Sequence, residues 1–218
     1  MVDVRVWFEK KGDARYISHL DLSRCMQRAL KRSGLPIWYT EGFHPHVYVT
    51  FALPLSLGQE SRCEIMDFRL YEERPLNEVF AALAAAMPPD LPVTRCAFPV
   101  QKPKEIASSV YKILLPGQAE ARSGAEAFFG RPSVLVTKRT KKGGEKTVEL
   151  APHLASAACR VRDEDLEITL TLPAGCGDTI NPSLVTGALE NELGIETPVR
   201  IIRTAVLDQE GRPFDGGN

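Results

Sequence analysis

The residue pattern predicts an α+β protein of two tandem β-α-β-β-α-β halves with antiparallel sheets. Three observations carry this: short segments whose apolar residues alternate, helical stretches between them in both halves, and a Pro- and Lys-containing connector, Pro99 to Lys104. The 218 residues suit one large domain or two small ones of about 100 residues each.

In the first half, Val2, Val4, Val6 and Phe8 alternate through Val2 to Glu9, the period of a half-buried strand. Lys10 to Asp13 supplies a turn. Ser18 with Asp21 three residues on resembles a capping box, so a helix is expected from about His19 to Ser33, ended by Gly34 and Pro36. Trp38 to Phe43 has no clear period. Val47, Val49 and Phe51 alternate with Tyr48 and Thr50 as a second strand, and Pro54 to Ser61 reads as a loop. Cys63 to Tyr71 is the third strand. Pro75 to Met87 is Ala-rich with Pro at the first helical position, and Pro88-Pro89 stops it before a fourth strand, Pro92 to Ala97.

In the second half, strands are expected at Ser109 to Leu115, Ser133 to Arg139, Lys146 to Leu150, Cys159 to Arg162, Leu166 to Leu172 and Val199 to Leu207. Helices are expected at Ala119 to Phe129 and from the cap Asn181-Pro182 to Leu193. Both halves thus read as ferredoxin-like, with residues 1–103 and 104–208 as domains and an extra hairpin in the second. The polar, Gly-rich segment 209–218 reads as a flexible tail. No sequence repeat relates the halves.

The composition is that of an ordinary soluble protein, with 44% hydrophobic and 25% charged residues. A net charge of −1, from 27 basic against 28 acidic residues, argues against indiscriminate coating of nucleic acid but leaves a local basic patch open. Cys25, Cys63, Cys96, Cys159 and Cys176 form no C-x-x-C pair, which suits reduced cytosolic thiols. The N-terminus has no apolar signal region, and no stretch approaches the ~18 apolar residues of a membrane span. A cytoplasmic protein without a membrane partner is expected.

Three constellations bear on chemistry. On the helix from His19, Arg24, Arg28, Lys31 and Arg32 gather opposite the apolar Leu22, Met26, Ala29 and Leu30. Such a row suits a nucleic acid or an acidic partner, and equally a solvated face. The run Lys138, Arg139, Lys141, Lys142 and Lys146, with Arg131 nearby and Glu145 against them, forms a basic hairpin tip suited to phosphates, or a soluble turn kept from aggregating by its charge. Gly42-Phe43-His44-Pro45-His46, with His19 upstream, concentrates three of the four histidines. These offer general acid–base groups, but two close histidines are too few for a metal without His19 or Glu41. No metal site and no cofactor is assigned. There is no Walker-type phosphate loop, no G-x-G-x-x-G and no G-x-S-x-G.

Tyr16-Ile17-Ser18-His19-Leu20-Asp21-Leu22 and Arg28-Ala29-Leu30-Lys31-Arg32-Ser33-Gly34-Leu35-Pro36 occur in that order. They are followed by Glu41-Gly42-Phe43-His44-Pro45-His46 and Phe51-Ala52-Leu53-Pro54-Leu55-Ser56-Leu57-Gly58. Together they resemble the radical SAM-linked protein family, a bacterial domain of unknown function encoded beside, or fused to, a radical SAM protein. The resemblance is strong over about the first 75 residues. Val148-Glu149-Leu150 and Ile202-Arg203-Thr204 extend it more weakly. It implies a radical SAM partner and a setting in RNA processing, and carries over no catalytic residue. The chain lacks C-x-x-x-C-x-x-C, so the cluster of such a partner is not expected here. In architecture, paired ferredoxin-like domains with a histidine-bearing loop also resemble RAMP-type endoribonucleases that process CRISPR repeats. The Gly-rich loop expected there is missing, since Leu193-Gly194-Ile195-Glu196 offers one glycine.

The resulting expectation is a non-catalytic accessory protein that binds RNA or presents substrate to a radical SAM partner. Arg24, Arg28, Lys31, Arg32, Lys138, Arg139, Lys141 and Lys142 would contact phosphates, and Tyr39, Phe43, His44 and His46 would stack on or hydrogen-bond an unpaired base. One rival is a metal-independent ribonuclease using His19, His44 or His46 as acid and base. Another is a protein–protein adaptor that does not bind RNA.

Overall fold

A computed structural model describes residues 1–139 and 143–216. The chain is α+β and forms two compact units. The first is Met1–Ile106 joined by the C-terminal segment from Arg212, and the second is Ala107–Gly211.

Unit 1 runs β1 (Val2–Lys10), α1 (His19–Arg32), β2 (Val49–Phe51), β3 (Glu60–Leu70), α2 (Leu76–Ala86) and β4 (Val93–Ala97). Its strands lie in the order β4-β1-β3, with β2 on the far side of β3, and every pair is antiparallel. The register sets Val4 opposite Phe68 and Val6 opposite Met66. These side chains share a core with Leu22, Met26 and Leu30 of α1 and with Val79 and Leu83 of α2. Each such side chain contributes about 1.5–3 kcal/mol by leaving water.

The start of α1 follows from its cap. The Ser18 hydroxyl accepts from the Asp21 N–H at 3.1 Å and donates to the Asp21 carboxylate at 2.7 Å. At the other end, Arg32 donates to the Ala86 carbonyl at 2.8 Å, tying α1 to the C-terminus of α2.

Two strands differ from expectation. β2 is shorter, and Val47 makes only an isolated bridge to Tyr39. The reason is competition: Ile37 pairs with Leu70 and Trp38 N–H donates to the Arg69 carbonyl, so the aperiodic segment around Trp38 takes the end of the β3 edge. β3 begins earlier, at Glu60. A bulge between Phe8 and Lys10 of β1 brings Lys10 opposite Ser61 and prolongs the ladder. Glu60, Ser61 and Glu64 are buried there, which hides this stretch from an apolar-periodicity reading.

The C-terminal segment also departs from the frayed tail. Phe214 is 1% exposed, and the Asp215 carboxylate accepts from Arg5 Nη1 at 2.8 Å and from the N–H groups of Val100 and Gln101. Arg5 is itself 1% exposed, grips Asp67 through two 2.7 Å bonds, and lies over the Phe214 ring. Arg95 holds the carbonyls of Asp215 and Gly216. Segment 212–216 therefore packs on the Arg5 face of the sheet, opposite the helices.

Unit 2 runs β5 (Ile106–Leu115), α3 (Arg122–Phe129), β6 (Leu135–Arg139), β7 (Glu145–Glu149), β8 (Ala158–Arg162), β9 (Asp165–Pro173), α4 (Pro182–Leu193) and β10 (Arg200–Asp208). Strands lie in the order β10-β5-β9-β8, while β6 and β7 pair as a separate antiparallel hairpin. The stretch expected as one helix from Ala119 begins as a 3-10 turn, Ala119–Ala121. Asn181 caps α4 by accepting from Ser183 N–H, and Gly194 ends it at φ +64°, where a side chain would be strained. Ile113, Leu115, Phe128, Ile168, Leu170, Val185 and Leu189 form the core.

Candidate nucleic-acid interface

The basic row and the histidine loop, far apart in sequence, lie side by side in unit 1. Gln27 of α1 donates to the Val47 carbonyl at 3.3 Å. The Lys31 ammonium lies 5.7 Å from the centre of the Tyr39 ring. The His19 ring meets Phe51 of β2 edge-on, with centroids 4.9 Å apart. These three interactions run the length of α1 and seat segment 39–51 against it. Leu22, Met26, Ala29 and Leu30 fix the other side of the helix in the core, so the Arg24 and Arg28 face is left exposed.

Loop 40–46 is a closed turn. Its ends meet in the Tyr39–Val47 bridge and the bond from Thr40 N–H to the His46 carbonyl at 2.8 Å. Gly42, at φ +120°, makes the reversal that a side chain would strain. His46 N–H donates to Thr40 Oγ1, and His46 Nδ1 lies 3.0 Å from that hydroxyl and 3.1 Å from the His44 carbonyl oxygen. His46 thus organises the turn. At the tip the Phe43 ring is fully exposed, and His44 is exposed beside it. A ring held in water by a hydrogen-bonded turn is open to stacking on a flat partner.

The charges are uneven. Arg24 makes an exposed ion pair with Asp21 at 3.3 Å, worth little in water. The Ser18 hydroxyl, then Arg24, hold the Asp21 carboxyl below its ordinary value. Arg32 spends one N–H on Ala86. Arg28 is exposed between them, and Lys31 is exposed with its ammonium beside the Tyr39 ring. With Glu41 on the loop, the face carries four basic side chains against two acidic ones.

Sequence reasoning missed Leu20, which is 58% exposed on this same side of α1. The signal was present: at 100° per residue Leu20 falls roughly 160° from Leu22, among the basic residues. Also missed was Arg69, stacked 5.2 Å from Trp38 and 5.1 Å from Tyr48 and paired with Asp3 at 2.7 Å. The Asp3 bond, more than any other cause, raises its guanidinium above the ordinary value.

The second basic run lies in unit 2. Lys138 pairs in register with Lys146, and Arg139 with Glu145, while Lys141 and Lys142 lie outside the described residues. Arg131 is committed to an ion pair with Glu192. Among the described residues, no group of three or more His, Cys, Asp or Glu is arranged to hold a metal ion, and no helix is long and apolar enough to cross a membrane. No hydrogen bond from His19 or His44 to a carboxylate is seen among the described residues.

Comparison with known proteins adds one relation. No curated protein matches the sequence. Residues 4–182, most of the chain and all of the face just described, match a family described as an uncharacterized protein conserved in bacteria (DUF2344), and the chain belongs to that family.

Proposed function

We propose that the chain is a non-catalytic accessory protein that binds single-stranded RNA and presents it to a radical SAM partner in the cytoplasm. One observation carries the reading: the cationic face of α1 is seated beside a turn that holds Phe43 fully in water. Cations that follow a phosphate path beside a stacking ring are the two components of single-strand recognition. Arg24, Arg28, Lys31 and Arg32 would meet phosphates, and Phe43, with His44 beside it, would take an unstacked base. His46 and Tyr39 support the loop, and the hairpin from Lys138 would supply further cations from unit 2.

The fold reading deepens in the same direction. The order β4-β1-β3-β2 in unit 1 and β10-β5-β9-β8 in unit 2 supports two tandem ferredoxin-like halves, the second carrying the β6-β7 hairpin as an insertion. Residues resembling radical SAM-linked proteins supply α1 and the Phe43 loop, which supports the choice of partner.

The test is fluorescence anisotropy of a labelled 12-nucleotide RNA with wild type and Phe43→Ala. Because Phe43 supports no core packing, the variant should fold normally and lose about 1–3 kcal/mol of binding per base stacked, roughly 5- to 150-fold in Kd. Equal affinity of the two proteins, or no binding by wild type at low salt, overturns the proposal. RNA cleavage that disappears in His44→Ala would replace it with a ribonuclease.

A further inference from the structure

On the sheet face of unit 1 opposite the helices, the C-terminal segment sets down two adjacent side chains, a ring and an anion. The surface beneath holds both through cationic and N–H groups. The centre of the Phe214 ring lies 5.0 Å from the Arg5 guanidinium carbon. The Asp215 carboxylate accepts from Arg5 Nη1 at 2.8 Å and from the consecutive N–H groups of Val100 and Gln101 at 3.1 and 2.9 Å. A guanidinium and two successive backbone N–H groups closing on one anion form a receptor that any oxyanion of similar size can fill. Arg95 lies over Trp7, 4.4 Å from the ring centre, and donates to the carbonyls of Asp215 and Gly216.

Two features set this closed arrangement apart from ordinary packing. Asp215 holds φ +54°, a left-handed backbone that non-glycine residues rarely adopt and that gathers at functional sites. Trp7 is 3% exposed, yet its indole N–H has no hydrogen-bond partner among the described residues, so the cluster keeps an unsatisfied buried donor. Apart from Asp215, the charged groups described in the cluster are Arg5 and Arg95 against Asp67, a net positive charge. Asp67 is engaged by Arg5 Nε and Nη2, which leaves Nη1 to the anion and the Gln101 carbonyl. A flat ring on a guanidinium, with an oxyanion on the neighbouring donors, is also how a protein takes a nucleotide. The base stacks on the guanidinium plane, and the phosphate accepts from the N–H groups.

We infer that this place is a nucleoside monophosphate site, closed by the chain's own stand-in: Phe214 for the base and Asp215 for the phosphate. A nucleotide binds there in competition with segment 212–216, so its apparent affinity scales with the fraction of molecules whose segment is released. A free nucleotide and the phosphorylated end of an RNA offer the same chemistry. The site lies on the side of the sheet away from α1, and it does not depend on the RNA reading above.

The experiment is isothermal titration calorimetry of the full-length wild type, Asp215→Asn and Phe214→Ala. The probes are adenosine monophosphate (AMP), adenosine, inorganic phosphate, and a hexanucleotide RNA with and without a terminal phosphate. Asp215→Asn removes the charge that holds the segment but keeps an acceptor oxygen and tolerates positive φ, so the fold persists. It should bind AMP about 5- to 30-fold more tightly than wild type while unfolding at lower urea. Phe214→Ala removes the ring and leaves every donor of the receptor in place, and it should gain AMP affinity as well. Adenosine and inorganic phosphate should each bind more weakly than AMP. A packing role alone would give destabilised variants with no gain in binding. Absence of AMP binding by both variants, or affinity equal to wild type in both, therefore overturns the inference. Adenosine bound as tightly as AMP also overturns it, because the anion receptor would then be idle. Phosphorylated RNA bound more tightly than AMP supports the site with an RNA end as its source, and the reverse order supports it with a free nucleotide.

Discussion

Replacing Asp215 with alanine removes the anchor of the C-terminal segment, and the structure sets the size of the effect. The carboxylate accepts a 2.8 Å bond from Arg5 and bonds of 3.1 and 2.9 Å from the N–H groups of Val100 and Gln101. Breaking a buried ion pair from one side costs about 3–5 kcal/mol. Asp67 still neutralises Arg5 through two bonds, so the lower end, about 3 kcal/mol, applies. Asp215 also sits at φ +54°, a left-handed conformation that aspartate and asparagine tolerate and alanine adopts at a cost of roughly 1 kcal/mol. The sum is about 4 kcal/mol. Asp215→Asn keeps the backbone preference and an acceptor oxygen, and should lose only about 1–2 kcal/mol. With a urea m-value of roughly 2 kcal/mol/M, the unfolding midpoint falls by about 2 M for alanine and by less than about 1 M for asparagine. Urea melts followed by tryptophan fluorescence read both, since Trp7 stacks on Arg95 in the same cluster. If alanine and asparagine shift the midpoint equally and by under about 0.3 M, the segment does not anchor the sheet and the argument fails.

Three further outcomes follow from individual groups. Ser18→Ala should cost about 1 kcal/mol in an equilibrium melt, because it removes the α1 cap, while no change would mean that the cap carries no stability. The Asp21 carboxyl is held below its ordinary value by Ser18 first and then by Arg24, so its contribution is present above the unfolded value and lost as pH falls through the folded one. Asp21→Asn should therefore be less stable than wild type at pH 7 and approach it as the pH drops below 3.8; a difference that persists in acid would contradict this. Burial pushes the Cys96 thiol up to about 12, whereas Cys176 is exposed. Iodoacetamide at pH 8 should label Cys176 rapidly and Cys96 only after unfolding, as peptide mapping would show.

Some of this was legible in the sequence. Ser18, Asp21 and the spacing of Leu22, Met26 and Leu30 define α1 at both its start and its buried face, because cap and periodicity are local properties. Asn181 and Gly194 bracket α4 in the same way. The Arg5 cluster was not legible. Alternation assigns Val4, Val6 and Phe8 to the buried side and sends Arg5 and Trp7 outward, yet the C-terminal segment covers that second face, an interaction spanning 210 residues of sequence. Phe214, a lone large apolar residue in a polar tail, was the available hint. Arg32 illustrates the same limit: it reads as one of a basic row, but whether it faces a phosphate or the end of α2 is decided by packing across 54 residues. The seating of Phe43 beside α1 likewise depends on Gln27 reaching Val47, which no periodicity encodes.

The RNA reading is tested most directly by the salt dependence of binding in the variant Arg24→Ala/Arg28→Ala. Both side chains are exposed, and neither contributes to the core, so the fold should persist. Every cation that neutralises a phosphate of a single strand adds about 0.7 to the slope of log K against log salt. The account predicts a slope smaller than wild type by about 1.4, with weaker binding across RNA sequences. A slope and affinity equal to wild type would contradict it, and the basic face of α1 would then be a solvated surface.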